Sequence, residues 1–325
     1  MNSEEHELRE KLARFGDDVR KLETEIGRVL VGQQAVVRGT LLTMIAGGHV
    51  LLEGVPGLGK TLLVRTLAEV VGGKYSRIQF TPDLMPADLT GTNIMNLRND
   101  ERRFEFQPGP IFANIVLADE INRATPKTQA ALLEAMQEHT VTVAGTTHQL
   151  NGMFFVLATQ NPLEMEGTYP LPEAQLDRFF AKLLVPFPTA DELVAIVDRT
   201  TRSTVPKIET TLQPSQILDM GRLARDVPVA DELTRYAVDL LLATHPGSPK
   251  AGAFVKKYVR YGASPRGVQA LMLAAKISAI LDDRFNVSRE DLRTVASMVL
   301  RHRILLNFEG QAEGISTDQI VAKII

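Results

Sequence analysis

The sequence of 325 residues contains no cysteine. Disulfide bonds and thiolate metal sites are therefore excluded, and the composition suits a reducing compartment. The sequence also lacks any run of about eighteen apolar residues, so we expect no membrane-spanning helix. Its first residues are acidic and polar, which argues against a signal peptide. Together these absences favour a cytoplasmic protein.

An excess of positive charge is missing as well, because the formal net charge is −3. Proteins that bind nucleic acid usually carry a basic surface, so we expect no nucleic-acid partner. Hydrophobic residues make up 44% of the chain and charged residues 23%, which is typical of a globular protein. The length is sufficient for two ordinary domains.

One glycine-rich segment is the most informative part of the sequence. It fits the phosphate-loop pattern G-x-x-x-x-G-K-[ST] and consists of Gly54, Val55, Pro56, Gly57, Leu58, Gly59, Lys60 and Thr61. An apolar strand precedes it and an apolar helix follows from Leu62, which is the context that the pattern requires. Backbone N–H groups and Lys60 would bind the phosphates of ATP, and the Thr61 hydroxyl would bind Mg²⁺. A glycine-rich turn with a solvated lysine is the structural alternative.

Two further apolar strands end in polar side chains. The strand Ile115–Ala118 leads to Asp119, which would hold Mg²⁺, usually through water, and to Glu120, which would activate the attacking water as a general base. The strand Met153–Ala158 leads to Asn161, which could bond to the γ phosphate or the attacking water. Parallel strands place their carboxyl ends beside the phosphate loop, so these side chains are expected there. Solvated acids at a strand end and an asparagine in a turn are the alternatives.

The alternation of strands and helices predicts a doubly wound α/β core over residues 31–188. Residues 1–30 form one charged amphipathic helix, and we favour its packing on its own domain over a coiled coil. Helical patterns dominate after residue 188, so residues 189–325 are predicted to be a separate helical domain. The predicted core strands are Val50–Glu53, Tyr75–Phe80, Ile115–Ala118, Met153–Ala158 and Lys182–Val185.

Two insertions interrupt the core pattern. The first covers about residues 81–108, where Asn93–Leu97 and Arg103–Gln107 are predicted to pair across a polar turn. The second covers residues 140–150 and is typical of a hairpin around Ala144 and Gly145.

The order of these motifs resembles that of the AAA+ ATPases. The residues within the motifs resemble those of the MoxR family. The resemblance covers about residues 30–310 and depends on the segments Gly54–Thr61, Ile115–Glu120, Asp119–Ala124, Ala130–Glu138, Ala158–Pro162, Gln175–Phe179 and Gly262–Arg266. It implies a P-loop AAA+ core with an all-α lid domain. It further implies a Mg²⁺-dependent ATPase that assembles into a homo-oligomeric ring of six subunits.

The resemblance also assigns roles to single residues. Gly32 and Gln33 would line the adenine pocket, and Asn161 would be the first sensor. Arg178 would be an arginine finger that reaches a neighbouring subunit's nucleotide. Arg266, at the start of a lid helix, would be the second sensor. Arg123 is another candidate for a contact between subunits, although a structural salt bridge would explain it equally.

The work of such a motor is inferred only from the family. There it is chaperone-like remodelling, maturation or metal insertion in a client protein, with a von Willebrand factor A domain protein as the expected partner. One alternative is a magnesium-chelatase-like motor subunit, which shares the first insertion. Another is a nucleic-acid or transcription-associated AAA+ motor. That class is disfavoured because no Gly-Ala-Phe-Thr-Gly-Ala loop occurs between Thr81 and Pro108.

Overall fold

The computed structural model describes residues 3–98, 101–150, 152–162, 167–201 and 207–325. Within these ranges the helices are α1 (Ser3–Val29), α2 (Gln34–Ile45), α3 (Lys60–Val71), α4 (Pro86–Thr90), α5 (Pro126–Glu138), α6 (Glu173–Leu176), α7 (Ala190–Thr200), α8 (Pro214–Arg225), α9 (Asp231–Ala243), α10 (Ala253–Tyr258), α11 (Pro265–Leu281), α12 (Arg289–Leu300), α13 (Phe308–Ala312) and α14 (Thr317–Ile324). The strands are β1 (Val50–Glu53), β2 (Tyr75–Gln79), β3 (Gly91–Arg98), β4 (Glu101–Pro108), β5 (Ile115–Asp119), β6 (Thr140–Val143), β7 (Thr146–Gln149), β8 (Phe155–Gln160), β9 (Ala181–Leu184), β10 (Val259–Tyr261) and β11 (Leu305–Leu306).

A central sheet of five parallel strands has the order β2-β5-β8-β1-β9. The predicted core strands are confirmed, each within two residues of its predicted ends. All of β5 is buried, because strands of a covered parallel sheet lose solvent on both faces. The strands run in one direction, so the sheet has a carboxyl edge, where β1, β5 and β8 end, and an amino edge, where the strands begin.

Helix α1 is packed against the rest of the chain. Its apolar seam consists of side chains that are at most 3% exposed, namely Leu12, Phe15, Val19, Leu22 and Ile26. These side chains contribute roughly 1.5–3 kcal/mol each on burial. The seam faces α2, α3 and α11. The preference for intramolecular packing over a coiled coil is therefore confirmed.

Two hairpins interrupt the core at the predicted positions. Strands β3 and β4 pair antiparallel along their full length, and residues 99–100 of the predicted turn lie outside the described residues. Strands β6 and β7 form the second hairpin. The rings of Phe106 in β4 and His148 in β7 stack with their centroids 3.7 Å apart. The two hairpins are thus in direct contact.

The C-terminal region is helical, as expected, and its predicted helix starts are confirmed. Ser264 accepts a hydrogen bond at the start of α11, and Ser288 forms a capping box with Asp291 at the start of α12. The structure adds one feature that the sequence did not indicate, the antiparallel pairing of β10 with β11. These strands have three and two residues, too few for a periodic pattern. Across the described ranges, no helix is both long and apolar enough to cross a membrane.

Candidate active site

The phosphate loop joins β1 to α3 at the carboxyl edge of the sheet. Gly57 and Gly59 have φ angles of +83° and +76°, a region that glycine adopts without steric cost. This backbone path lets α3 begin at Lys60, directly after the loop. The unpaired N–H groups at the start of α3 and the positive end of its dipole would stabilise an anion here. Thr61 and Leu62, in the first turn, are exposed.

The Lys60 ammonium lies over the loop. Its Nζ donates a hydrogen bond to the carbonyl oxygen of Gly54 at 2.5 Å. Partial burial lowers the pKa of Lys60, and the carboxylates of Asp119 and Glu120 oppose this shift. The backbone N of Gly54 donates to the carbonyl oxygen of Gln160 at 3.4 Å, so the loop begins beside the end of β8, the strand next to β5.

The Asp119 carboxylate is fixed on both of its oxygens. Oδ1 accepts a hydrogen bond from Thr159 Oγ1 at 2.7 Å, and Oδ2 accepts one from Arg77 Nη2 at 2.8 Å. Thr159 Oγ1 also accepts a hydrogen bond from the backbone N of Glu120 at 2.8 Å. Thr159 on β8 thus orients both acidic residues, and Arg77 on β2 balances the charge of Asp119.

Glu120 has a strained backbone and a restrained carboxylate. Its φ of 56° and ψ of 50° are left-handed, which costs on the order of 1–3 kcal/mol for a residue other than glycine. Its Oε2 accepts a hydrogen bond from Gln79 Nε2 at 3.0 Å and pairs with Arg123 Nε at 3.0 Å. The Arg123 ion pair matches the structural alternative for that arginine. Both of these contacts are to Oε2, and a carboxylate offers about four lone-pair sites, so Glu120 can still accept a hydrogen bond from a water molecule.

Asn161 follows β8 at the same carboxyl edge and is 6% exposed. Because β8 lies between β5 and β1, Asn161 is placed between the carboxylates and the phosphate loop. On the other side of the loop, Gln33 Nε2 donates to the carbonyl oxygen of Leu58 at 2.9 Å. Gly32 lines a cavity of about 700 Å³ between α1 and α2. Most of the site residues that were predicted from the sequence therefore lie at this edge of the sheet.

Arg178 and Arg266 lie elsewhere, at the amino edge. Arg178 precedes β9. Two residues further along the chain, the backbone N of Phe180 donates to the carbonyl oxygen of His49, just before β1, at 2.9 Å. Arg266 lies in the first turn of α11. Arg178, Arg266 and Arg225 all line one cleft of about 520 Å³. The two arginines that were predicted as site residues thus lie together, away from the phosphate loop.

The central sheet separates the two arginines, Arg178 and Arg266, from the phosphate loop. Strands β1 and β9 pair in register from Val50 with Ala181 to Glu53 with Leu184. From Val50 to Gly54, the first residue of the phosphate loop, the chain advances roughly 13 Å in four steps. An arginine side chain reaches only about 7 Å from its Cα. Neither Arg178 nor Arg266 can touch a phosphate bound to the loop of its own chain in this conformation.

Comparison with known proteins assigns the chain to a family. A model of the ATPase family associated with various cellular activities matches residues 49–181, and an AAA lid domain matches residues 252–324. The chain is 42% identical to Chaperone MoxR1 of Mycobacterium tuberculosis, over 93% of this chain and 79% of that protein. The chain belongs to the MoxR family of AAA+ ATPases.

Two further likenesses extend over nearly the whole length of this MoxR-family ATPase. It is 46% identical to the uncharacterized protein YeaC of Bacillus subtilis, over 92% of this chain and 91% of that protein. A crystal structure of a Cytophaga hutchinsonii protein matches it with a TM-score of 0.90 and 40% identity, covering 99% and 98% of the two chains. The protein accordingly hydrolyses ATP.

Four side chains that shape the two edges of this MoxR-family ATPase were not predicted from the sequence. They are Arg77, Gln79, Thr159 and Arg225. Arg77, Gln79 and Thr159 lie on strands that neighbour β5, so knowledge of the strand order would have found them. Arg225 ends α8, and no local signal connects it to the cleft.

Proposed function

We propose that this MoxR-family ATPase forms a ring in which each ATP is hydrolysed between two subunits with the help of Mg²⁺. The observation that carries the proposal is the separation of Arg178 and Arg266 from the phosphate loop of the same chain. Charge that develops on a γ phosphate is often neutralised by an arginine from a neighbouring molecule. A head-to-tail interface repeated by rotation closes into a ring and would bring each amino edge to the next subunit's nucleotide. Six subunits is the number that the family resemblance implies.

In this proposal the residues of the carboxyl edge divide the chemistry. Lys60 and the N–H groups of the loop hold the phosphates and keep the reacting bond in place. Glu120 holds the attacking water and accepts its proton as a general base. Asn161 orients that water or the γ phosphate. Gly32 and Gln33 form one wall of the pocket for the adenine base.

The residues at the carboxyl edge also suit Mg²⁺. The exposed hydroxyl of Thr61 and the carboxylate of Asp119 are hard oxygen donors, which this ion prefers. The described residues contain no cluster of three or more acidic, histidine or cysteine side chains that would enclose a metal. A site with few protein ligands fits an ion that shares its coordination with phosphates and water. When bound, Mg²⁺ would offset the negative charge of the phosphates.

The output of hydrolysis is proposed from the family. Its relative in Mycobacterium tuberculosis is named a chaperone, which supports chaperone-like remodelling of a client protein. Maturation of a client or metal insertion into it is proposed from the family resemblance alone. A von Willebrand factor A domain protein is the proposed partner and the cytoplasm the proposed location. The contacting hairpins β3–β4 and β6–β7 lie outside the phosphate-binding strands and are candidates for the surface that acts on a client.

Mixing two inactive variants tests hydrolysis between subunits. Arg178→Ala should bind ATP and hydrolyse it about 10³-fold more slowly, because the finger is missing. Lys60→Ala should lose ATP binding. In a 1:1 mixture, roughly one quarter of the interfaces would pair an intact loop with an intact finger, since neighbours in a ring are drawn at random. Steady-state hydrolysis should recover to about that fraction of the wild-type rate.

The mixture needs evidence that mixed assemblies form. Subunits with two different affinity tags would show this by sequential purification. A mixture of Lys60→Ala with itself, carrying both tags, is the matched control and should remain inactive. Mixed assemblies without recovered hydrolysis would show that Arg178 acts within its own subunit.

A further inference from the structure

Asp177 links the two arginines of the amino edge. It directly precedes Arg178 in the chain. Its carboxylate accepts a hydrogen bond from the Ser264 hydroxyl, with Oγ 2.8 Å from Oδ1 and 2.9 Å from Oδ2. Ser264 in turn caps α11 and accepts a hydrogen bond from the backbone N of Arg266 at 3.2 Å. One side chain therefore connects the turn of Arg178 to the helix start that carries Arg266.

A buried guanidinium completes this connection. The side chain of Arg303 is 2% exposed, and its Nε donates to Asp177 Oδ1 at 2.9 Å. Its Nη2 and Nη1 donate to the carbonyl oxygens of Phe179 and Phe180 at 2.7 Å and 3.1 Å. Burial lowers the pKa of Arg303 to about 10, and the charge of Asp177 opposes this shift, so the guanidinium stays charged at neutral pH.

The contacts cross between two parts of the molecule. Ser264 and Arg303 belong to the helical C-terminal region, whereas the turn at Asp177 leads directly into the central sheet. The backbone N of Phe180 donates to His49, which precedes β1. The contacts among Asp177, Ser264 and Arg303 thus connect the C-terminal region to the amino edge of the sheet.

We propose that Asp177 is a positioning residue that holds Arg178 and Arg266 in one fixed arrangement, so that both enter the nucleotide site of the neighbouring subunit together. This inference rests on the proposed hydrolysis between subunits. Asp177 itself touches no nucleotide in this scheme. It makes the helical region and the arginine turn move as one body, so a displacement of that region changes the neighbour's site.

Removing the Asp177 charge should loosen this arrangement. In Asp177→Asn the new amide could still accept the Ser264 hydrogen bond, but the buried Arg303 would lose its counter-ion. A misplacement of a reacting group by about 1 Å can cost roughly 10²-fold in rate. We therefore expect Asp177→Asn to lower kcat about 10-fold to 100-fold, with KM and ATP affinity nearly unchanged.

The mixture of Arg178→Ala and Lys60→Ala subunits allows a placement test. All recovered hydrolysis occurs on the loops of the Arg178→Ala subunits, with arginines donated by the Lys60→Ala subunits. Asp177→Asn added to the Lys60→Ala subunit should abolish most of the recovered rate. The same change added to the Arg178→Ala subunit should alter it less than about twofold, because that subunit's arginine turn is not used.

The placement test separates positioning from a general structural effect. Equal loss from both placements would overturn the role of Asp177 while leaving hydrolysis between subunits intact. Absence of any recovery in the parent mixture would instead overturn hydrolysis between subunits, and this inference with it. Asp219→Asn is the matched control, because that exposed aspartate pairs with Arg222 on the surface of α8. It should behave like the unmodified subunit in either placement.

Ser264→Ala provides a second variant if Asp177→Asn fails to fold. It preserves the ion pair between Asp177 and Arg303 and removes only the hydroxyl. We expect about a tenfold loss of recovered hydrolysis when it is placed in the Lys60→Ala subunit, and little effect in the other placement. Ser264→Thr keeps the hydroxyl and should restore the rate. Equal effects of Ser264→Ala in the two placements would contradict the proposal.

Discussion

Replacing Arg266 by alanine should slow hydrolysis on the neighbouring subunit's nucleotide and leave ATP binding to the mutated subunit unchanged. The reason is the placement of Arg266 beside Arg178 in the cleft of the amino edge. The phosphate loop of the same chain lies roughly 13 Å away along the sheet, beyond the reach of the side chain. A second sensor that acts on its own subunit's nucleotide would have to lie at the other edge.

The size of the effect follows from the bond that would be lost. One hydrogen bond between a guanidinium and a phosphate oxygen contributes about 1.5–3 kcal/mol. If it is made only in the transition state, its loss lowers kcat by roughly 10-fold to 150-fold. The effect should be smaller than that of Arg178→Ala, because the finger neutralises most of the developing charge. Equilibrium titration with ATP should give the wild-type affinity.

A mixture of Arg178→Ala with Arg266→Ala subunits decides between the two placements. Each subunit in this mixture lacks one of the two arginines. If both arginines are donated by the same neighbour, every interface therefore lacks one of them. No recovery above the separate variants is then expected. If Arg266 served its own subunit, interfaces with an intact Arg266 and a donated Arg178 would form, and hydrolysis would recover. Such recovery in verified mixed assemblies would refute the geometric argument.

Two further predictions concern the nucleotide site and stability. Lys60→Ala should abolish ATP binding. Glu120→Gln should bind ATP normally and hydrolyse it at least about 10²-fold more slowly, because only the base is lost. Normal turnover in Glu120→Gln would remove Glu120 from the mechanism. Burial lowers the pKa of His49 to about 4, and its ring accepts a hydrogen bond from the backbone N of Val156 at 3.0 Å. The unfolded chain therefore binds the proton first as the pH falls below about 6.5, and the free energy of unfolding should drop by about 2 kcal/mol between pH 7 and pH 5 from this residue. Urea titration at both pH values should show a smaller drop for His49→Gln, and equal drops would exclude His49 as the cause.

Local sequence patterns were enough to define the nucleotide-binding half of this protein. The phosphate loop is encoded by its glycine-rich pattern, whereas Asp119, Glu120 and Asn161 are encoded by their places at the end of an apolar run. In a parallel sheet such ends must meet at one edge, so the pattern also groups them in space. The helix α1 was equally predictable, because its seam repeats over several turns.

What these residues face depends on long-range packing. Gln79 and Thr159 restrain the acidic pair because β2 and β8 are the neighbours of β5, and strand order depends on contacts between distant segments. Arg178 and Arg266 are separated by many residues, and they share a cleft because Asp177 binds Ser264 and Arg303 across two regions. Such contacts join side chains that are distant along the chain, so they produce no periodic pattern in the sequence. The arginines therefore lie at the edge away from their own phosphate loop for a reason that the folded packing alone provides.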